Sequence, residues 1–367
     1  MRGPIRTFLV LTLILFVKSQ EFQKCNLRNG AVGTCQHVLQ CTSAKKELQQ
    51  RLHPISCGFS GRYPLVCCDQ NKAEIAQGRT SNRISEEKCQ EYLKLDIKTT
   101  ISTTTTTTTP KPAKTFSFNP YVIKGVNAYY EEYPHMAILG YGPSKNLEFK
   151  CGGSLISDQF VLTAGHCLES RESGPVSSVR LGDLDIASTV ELAEPQNFKV
   201  QKVFTFPEYD SESFYHDIAL IKLDRPVIYT RYVKPACLQS KFELENNNLT
   251  ITGWGALEFG GQSHSYLQKA PLRSLPAENC ARSLPKQAKL ANGFDEELQI
   301  CGGDLETMVD ACQGDSGGPM QLKIQELPQM YRIAGVTSFG NNCGLVPGVY
   351  TRVSNYISWI ESIVWPN

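Results

Sequence analysis

The chain has 367 residues, enough for two domains or one large one, and a formal net charge of +1. Because acidic and basic residues nearly balance, the total charge gives no electrostatic bias toward nucleic acids or membrane surfaces. The chain also has 14 cysteines, an even number, which is typical of a protein that forms disulfides in an oxidising compartment.

Residues 1–19 predict a signal peptide. Arg2 and Arg6 precede an apolar run from Phe8 to Val17, and Ser19 is a small residue suited to the cleavage site. The run is too short to span a hydrocarbon core of roughly 30 Å, which disfavours a membrane anchor. We therefore expect a secreted, extracellular protein whose cysteines form disulfides rather than metal sites.

A small disulfide-bonded domain is predicted for residues 25–68. A segment of this length cannot bury enough apolar surface to fold unaided, and disulfides would supply the missing constraint. Many pairings are possible, but the neighbours Cys67 and Cys68 should have different partners, because a bridge between adjacent residues is strained. The cysteines of this segment are Cys25, Cys35, Cys41, Cys57, Cys67 and Cys68.

Residues 69–121 predict a linker. Apart from Cys89, the segment is marked by the unbroken threonines 103–109 and by the stretch "PKPAK". It shows no period of a buried strand or helix. Its proline and threonine content is typical of an extended spacer that can carry O-linked glycans.

Residues 122–367 predict a mainly β domain. Short apolar runs such as "HDIALIKL" and "RIAGVTSF" alternate with Gly, Pro and Asn, which is typical of a sandwich or barrel. Near the end of the chain, Val353, Ile357, Ile360 and Val364 are spaced three and four residues apart. This spacing predicts a C-terminal amphipathic helix that packs on the β body.

The stretch "CQGDSGGPM" places Ser316 between glycines, which let the backbone turn sharply and approach a substrate closely. A serine nucleophile needs a general base and an orienting carboxylate. His166 ends an apolar run in "LTAGHC", and Asp217 begins one in "HDIALIKL", where an unpaired acid would be costly. The nucleophile elbow of α/β-hydrolases is disfavoured because their histidine follows the serine. The order His166, Asp217, Ser316 is that of chymotrypsin-type proteases.

These motifs carry a family resemblance. Residues 122–367 resemble a trypsin-like serine protease over their whole length, because "CGGSLI", "LTAGHC", "DIALIKL", "TGWG", "DACQGDSGGP" and "PGVYTRV" occur in the family's order. Residues 25–68 resemble a clip domain, the disulfide knot of arthropod haemolymph proteases. The closing "IESIVWP" resembles the clip proteases that act upstream in Toll and melanisation cascades. The implied fold is a double β-barrel with a C-terminal helix. Gly165 departs from the family, where Ala is usual.

The resemblance implies a role for each site residue. Ser316 would attack the scissile carbonyl, His166 would take and return the proton, and Asp217 would hold the imidazole in one tautomer. The backbone N–H groups of Gly314 and Ser316 would form the oxyanion hole.

The resemblance also implies a specificity pocket. Asp310 would lie at its floor and select Arg or Lys in the substrate. Gly340 and Gly348 would keep the pocket open for a long side chain, and Phe339 replaces the usual Trp in its wall.

The resemblance also implies a disulfide partner for each of the remaining cysteines. Three bridges are implied inside the protease domain, and a fourth would tie the linker to it. These bridges are Cys151–Cys167, Cys280–Cys301, Cys312–Cys343 and Cys89–Cys237.

The resemblance places an activation cut between Tyr121 and Val122. The new ammonium group of Val122 would pair with Asp315 and order the pocket. Tyr121 is not basic, although many relatives have Arg or Lys there. We therefore expect activation by a non-trypsin, chymotrypsin-like protease.

Two weaker features concern modification and metal binding. Asn248 begins an N-glycosylation sequon. Asp183 and Glu194 bracket a loop that binds calcium in some trypsin-like proteases, but solvated acids are the favoured interpretation. We expect no required cofactor.

The leading hypothesis is a secreted endopeptidase zymogen that cleaves after Arg or Lys. Its substrate would be another clip protease zymogen in a Toll or melanisation cascade, and a serpin would inhibit it. The alternative is a catalytically silent homologue that acts as a binding adaptor. A digestive protease is disfavoured by the clip segment and the linker.

Overall fold

The structure of the protein is a computed structural model. It divides into two compact units, Met1–Ser81 and Asn82–Asn367. The predicted signal peptide, the activation bond, Asp310 and the bridge Cys312–Cys343 lie outside the described residues. The structure describes residues 23–28, 30–38, 41, 44, 47, 52–60, 63–68, 83–95, 125–143, 146–190, 192–255, 263–284, 286–303, 314–324, 329–340 and 346–366.

The N-terminal unit contains a four-stranded antiparallel sheet in the order β1-β2-β4-β3. Successive side chains on a strand point to opposite faces, so Cys67 and Cys68 on β4 reach different partners, as predicted. The bridges are Cys25–Cys67, Cys35–Cys57 and Cys41–Cys68. The strands are β1 (Lys24–Asn26), β2 (Val32–His37), β3 (Ser56–Ser60) and β4 (Tyr63–Cys68).

The first half of the protease unit forms a closed six-stranded antiparallel barrel. Its strands follow the order β11-β12-β8-β7-β6-β10, and pairing of β10 with β11 closes it. Leu139, Leu155, Leu181 and Leu220 are fully buried in its core. The strands up to residue 223 are β5 (Val126–Asn127), β6 (Met136–Tyr141), β7 (Glu148–Leu155), β8 (Phe160–Thr163), β9 (Glu169–Ser170), β10 (Gly174–Leu181), β11 (Gln196–Thr205) and β12 (Ala219–Leu223).

The second half forms another closed six-stranded barrel. Its order is β18-β17-β14-β15-β16-β19, and pairing of β18 with β19 closes it. The core contains Ile251, Leu272, Met320 and Tyr350. These strands are β13 (Cys237–Leu238), β14 (Leu249–Gly253), β15 (Gln268–Ser274), β16 (Gln299–Gly303), β17 (Pro319–Lys323), β18 (Tyr331–Phe339) and β19 (Gly348–Arg352). The predicted double barrel is confirmed.

The described residues include three α-helices: α1 (Ile84–Leu93), α2 (Ala277–Ser283) and α3 (Ile357–Val364). The predicted C-terminal helix is confirmed as α3. Its residues Ile357, Ile360 and Val364 are buried against the core of the first barrel. None of the described helices is long and apolar enough to cross a membrane.

Helix α1 lies inside the segment predicted as a linker. Its buried residues are Ser85, Cys89 and Tyr92, which recur every three or four positions, as one face of a helix does. Only Cys89 and Tyr92 of these are hydrophobic core residues, too few for apolar periodicity to reveal the helix. The expectation of an extended spacer is wrong for these residues, while the domain boundaries remain predictions.

The bridges implied for the protease unit are present wherever both cysteines are described. Cys151–Cys167 joins β7 to the turn after β8, and Cys280–Cys301 joins α2 to β16. Cys89–Cys237 joins α1 to β13. Cys312–Cys343 stays a prediction.

The burial of α3 generates a stability prediction. Ile360 is fully buried, so Ile360→Ala should leave a cavity and lower the thermal midpoint of the full chain by about 5–15 °C. Ser362→Ala on the exposed face of the same helix is the matched control and should change it by about 2 °C or less. Equal midpoints for the two variants would contradict this packing.

Candidate active site

His166 lies in a short 3₁₀ turn, Gly165–Leu168, directly after the buried strand β8. The disulfide from Cys167 to Cys151 ties this turn to β7. The turn therefore rests on two strands of the first barrel, and its histidine remains partly accessible, with 39% of the side chain exposed.

The unusual Gly165 has a local explanation. A Cβ atom at this position would stand 2.8–2.9 Å from three ring carbons of Tyr209, closer than real Cβ contacts. The tyrosine ring thus occupies the space that the usual alanine would fill. Burial first, and then the nearby charge of Asp217, raise the pKa of Tyr209 to about 12.

Asp217 lies two residues before β12 and is almost completely buried. Its Oδ1 accepts a hydrogen bond from the backbone N–H of His166 at 2.9 Å, and its Oδ2 lies 2.8 Å from His166 Nδ1. Ser338 Oγ donates to the same Oδ2 at 2.5 Å. These partners account for a carboxylate at the entrance to an apolar strand, because a buried charge must be paired and hydrogen-bonded.

The pKa values of His166 and Asp217 are shifted in the directions that strengthen their ion pair. Burial alone would lower the pKa of His166, but the charge of Asp217 and their hydrogen bond raise it above the ordinary value. Burial alone would raise the pKa of Asp217, but His166 and the Ser338 hydroxyl hold it below the usual range. The carboxylate therefore stays ionised, and Nδ1 carries the proton of a neutral imidazole.

Ser316 lies in a tight loop before β17. Gly314 and Gly317 have φ angles of 99° and 76°, a left-handed region that favours glycine. A Cβ atom on Gly317 would also stand only 2.6 Å from the carbonyl oxygen of Gly152. The carbonyl of Ser316 accepts a hydrogen bond from Gly152 N–H at 2.8 Å, which ties the serine loop to β7 beside the Cys151–Cys167 bridge.

The oxyanion-hole role of Gly314 and Ser316 stays a prediction. Among the described residues, no acceptor receives a hydrogen bond from the backbone N–H of Gly314 or Ser316, and an oxyanion site requires N–H groups without another acceptor. No hydrogen bond joins Ser316 Oγ to His166 Nε2 in the residues that the structure describes. Such catalytic hydrogen bonds often tighten only when substrate binds.

Asp315 points away from the serine into the second barrel. Its Oδ1 accepts a hydrogen bond from Gly255 N–H at 2.9 Å, and its carboxylate covers Gly253 so closely that a side chain there would collide with it. The predicted partner, Val122, lies outside the described residues, so the ion pair stays a prediction.

Two of the predicted pocket residues lie at neighbouring strand ends. Gly340 follows β18, and Gly348 begins β19, where Phe339 pairs with Val349. Phe339 stacks on Phe214, with ring centroids 4.0 Å apart. The wall at this position is therefore aromatic, as expected, while Asp310 at the predicted floor is outside the described residues.

Sequence reasoning missed several residues around Asp217. Besides Ser338, Thr351 Oγ1 donates to the backbone carbonyl of Asp217 at 2.7 Å. His216 adopts φ 56°, and its Nδ1 lies 3.1 Å from Tyr356 Oη. Only Ser338 had a usable signal, because it directly precedes Phe339 and Gly340, which the resemblance had already assigned to the specificity pocket.

The interpretation of Asp183 and Glu194 as solvated acids holds for Glu194, which is exposed, but is wrong for Asp183. Asp183 is buried, with 2% of its side chain exposed, and Arg180 Nη1 donates to its Oδ2 at 3.0 Å. Its Oδ1 has no partner among the described residues. The Arg180 guanidinium already supplies positive charge at this carboxylate, which disfavours a calcium ion there.

Comparisons with known proteins agree with this geometry. The family model described as Trypsin matches residues 122–360. The chain is 35% identical to "Serine protease snk" of Drosophila melanogaster, over 92% of this chain and 77% of the relative. It is 31% identical to "Phenoloxidase-activating factor 1" of Holotrichia diomphalia, over 99% of both. It is 33% identical to "CLIP domain-containing serine protease B10" of Anopheles gambiae, over 96% of both. The chain belongs to the trypsin family and, within it, to the clip-domain serine proteases.

Proposed function

We propose that the chain is the zymogen of a secreted serine endopeptidase. The observation that carries this proposal is the buried carboxylate of Asp217, which holds both the backbone and the ring of His166 beside the loop of Ser316. The signal peptide predicted for residues 1–19 supports secretion. The fold alone is not evidence for catalysis, because one fold can host many functions.

The proposed mechanism assigns one step to each group. Ser316 Oγ attacks the scissile carbonyl while His166 Nε2 takes its proton, and the N–H groups of Gly314 and Ser316 stabilise the oxyanion. His166 then returns the proton to the leaving amine. Asp217 holds the imidazole and stabilises its positive charge during both transfers. None of these steps needs a cofactor.

The proposed substrates are proteins cut after Arg or Lys, and in particular other clip protease zymogens. Asp310 at the pocket floor would pair with the basic side chain. The name of the Holotrichia diomphalia relative refers to activation of phenoloxidase, which supports a place in a haemolymph cascade. A serpin inhibitor follows from the same family membership.

The proposed activation step is a cut between Tyr121 and Val122 by a chymotrypsin-like protease. The new ammonium of Val122 would then reach Asp315, whose carboxylate accepts a hydrogen bond from Gly255 N–H just after β14. The energy of this ion pair would favour the ordered state of the pocket.

An adaptor without activity is the second candidate. It rests on the resemblance alone, because the absent hydrogen bond between Ser316 and His166 in the described residues is also expected of an enzyme without substrate. All three triad residues are present, which favours the enzyme.

The first test treats purified full-length zymogen with a chymotrypsin-like protease, determines the new N-terminus and then compares Arg-amide with Tyr-amide substrates. We expect a heavy chain beginning at Val122 and Arg-amide hydrolysis. Ser316→Ala, cut in the same way, should lose about 10⁶-fold in kcat.

Other outcomes separate the alternatives. Clean cleavage at Val122 without hydrolysis of either substrate would support the adaptor. Hydrolysis of Tyr-amide alone would contradict the role of Asp310, and a heavy chain that starts elsewhere would contradict the activation site.

The pH dependence of the activated enzyme tests the His166–Asp217 pair. Activity should fall as the pH drops through the pKa of His166, because only the neutral ring accepts the proton, and this midpoint should lie above 6.5. Asp217→Asn removes the charge that raises the pKa, so the midpoint should move to lower pH and kcat should fall about 10⁴-fold. Glu212→Gln, an exposed acid upstream in the same loop, should preserve the wild-type profile.

Calcium removal tests the role of Arg180. A chelator should change the thermal midpoint of the zymogen by less than about 2 °C. Arg180→Gln would leave Asp183 buried without its partner, and should lower the midpoint by roughly 5–10 °C. Arg171→Gln, an exposed control, should have little effect. A large loss of stability on chelation would show that a metal ion, and not Arg180 alone, stabilises this loop.

A further inference from the structure

The segment 83–95, which contains α1, makes an extensive contact with the protease unit in addition to its disulfide. The buried side of α1 faces β13, β18 and α3. An isolated helix of this length is marginal in water. The contacts with the two barrels are therefore what keeps the segment helical.

The first contact is a bidentate ion pair. Arg332 on β18 places Nη1 and Nη2 3.0 Å from Glu86 Oε1 and Oε2. Ser240 Oγ donates to Oε1 at 2.6 Å, and Arg332 Nη1 also donates to the Leu238 carbonyl at 3.0 Å. Only 25% of the Glu86 side chain and 16% of the Arg332 side chain are exposed. Paired charges with this geometry and burial are much stronger than surface salt bridges.

The second contact caps the helix. No side chain of its own N-cap residue, Arg83, bonds to the first turn. Glu361 of α3 does so instead, because its Oε1 accepts hydrogen bonds from Ser85 N–H at 3.1 Å and from Ser85 Oγ at 2.7 Å. Arg83 Nη1 donates to Glu361 Oε2 at 3.2 Å. One backbone N–H of the first turn of α1, that of Ser85, is thus satisfied by the C-terminal helix.

The third contact is the buried face around the disulfide. Cys89, Tyr92, Cys237 and Met330 form one buried cluster. Tyr92 Oη donates to the carbonyl of Ile156 at 3.1 Å. Besides the two cysteines, Tyr92 and Met330 supply apolar surface, and Leu93, Leu95 and Ile324 pack against them.

We propose that residues 83–95 are a permanent part of the protease unit and stay bound to it by these non-covalent contacts after the chain is cut between residues 95 and 125. Family pairing implies only the covalent tether Cys89–Cys237. Because of these non-covalent contacts, the N-terminal unit, which precedes residues 83–95 in the chain, stays attached to the protease unit even when the disulfide Cys89–Cys237 is reduced. The inference does not depend on the proposed activation bond or on catalysis.

The test uses the full chain with Ser316→Ala and with a recognition sequence for a site-specific protease in place of threonines 103–109. Cys89→Ser and Cys237→Ser remove the tether. After cleavage, size-exclusion chromatography under native conditions should show both fragments in one peak. Glu86→Gln should raise the dissociation constant of the fragments on the order of a hundredfold. Glu87→Gln, an exposed acid on the same helix turn, is the matched control and should keep the single peak.

Separation of the fragments in the tether-free chain that keeps Glu86 would overturn the proposal. Equal loss of association with Glu86→Gln and Glu87→Gln would overturn the assigned contact. If the double serine variant does not fold, hydrogen exchange of residues 84–93 is measured in the cut chain with its disulfide. Slow exchange that becomes faster with Glu86→Gln only would support the proposal, and fast exchange with Glu86 intact would overturn it. Because every variant lacks Ser316, these outcomes are separate from the test of catalysis.

Discussion

The burial of one carboxylate organises the protease unit. Asp217 comes from the first barrel, but it is satisfied from both: His166 follows β8, whereas Ser338 and Thr351 belong to β18 and β19 of the second barrel. An ionised group inside the protein is tolerated only with such a complete set of partners. The need to pair this charge therefore joins the two barrels at the site where His166 is held.

The same site depends on positions where a side chain would not fit. Gly317 approaches the carbonyl of Gly152, and Gly165 leaves room for Tyr209. The disulfide Cys151–Cys167 lies between the histidine turn and the strand that bonds to Ser316. Backbone contact, disulfide and ion pair together limit how far the segments that carry His166 and Ser316 can move apart. Their relative position is a property of the packed strands, which suits a site that must be pre-organised.

Charge pairs also fix α1 to the rest of the protease unit. Glu86 of α1 meets Arg332 of β18, and Glu361 of α3 meets Ser85 and Arg83. The first pair links α1 to a strand of the second barrel, and the second links it to the helix that packs on the first barrel. The side chains of α3 thus serve two purposes, because Ile360 fills the core of the first barrel while Glu361 caps α1.

The sequence by itself determined a mainly β domain, the C-terminal helix, the order of the triad and a family resemblance, and the resemblance in turn implied the double barrel. These features leave local signals, namely short apolar runs, helical spacing and glycine-flanked motifs, that depend little on distant residues. Three disulfides, Cys89–Cys237, Cys151–Cys167 and Cys280–Cys301, agree with family pairing. For the N-terminal unit the sequence required only that Cys67 and Cys68 have different partners, and the structure decided the three pairs. Only the tertiary structure decided that Asp217 binds Ser338, that Asp183 is buried beside Arg180, and that residues 84–93 form a docked helix. The first depends on partners that are far apart in sequence, and the second on burial by the surrounding fold. The third depends on a buried helix face with few apolar residues. No local sequence pattern predicts such contacts.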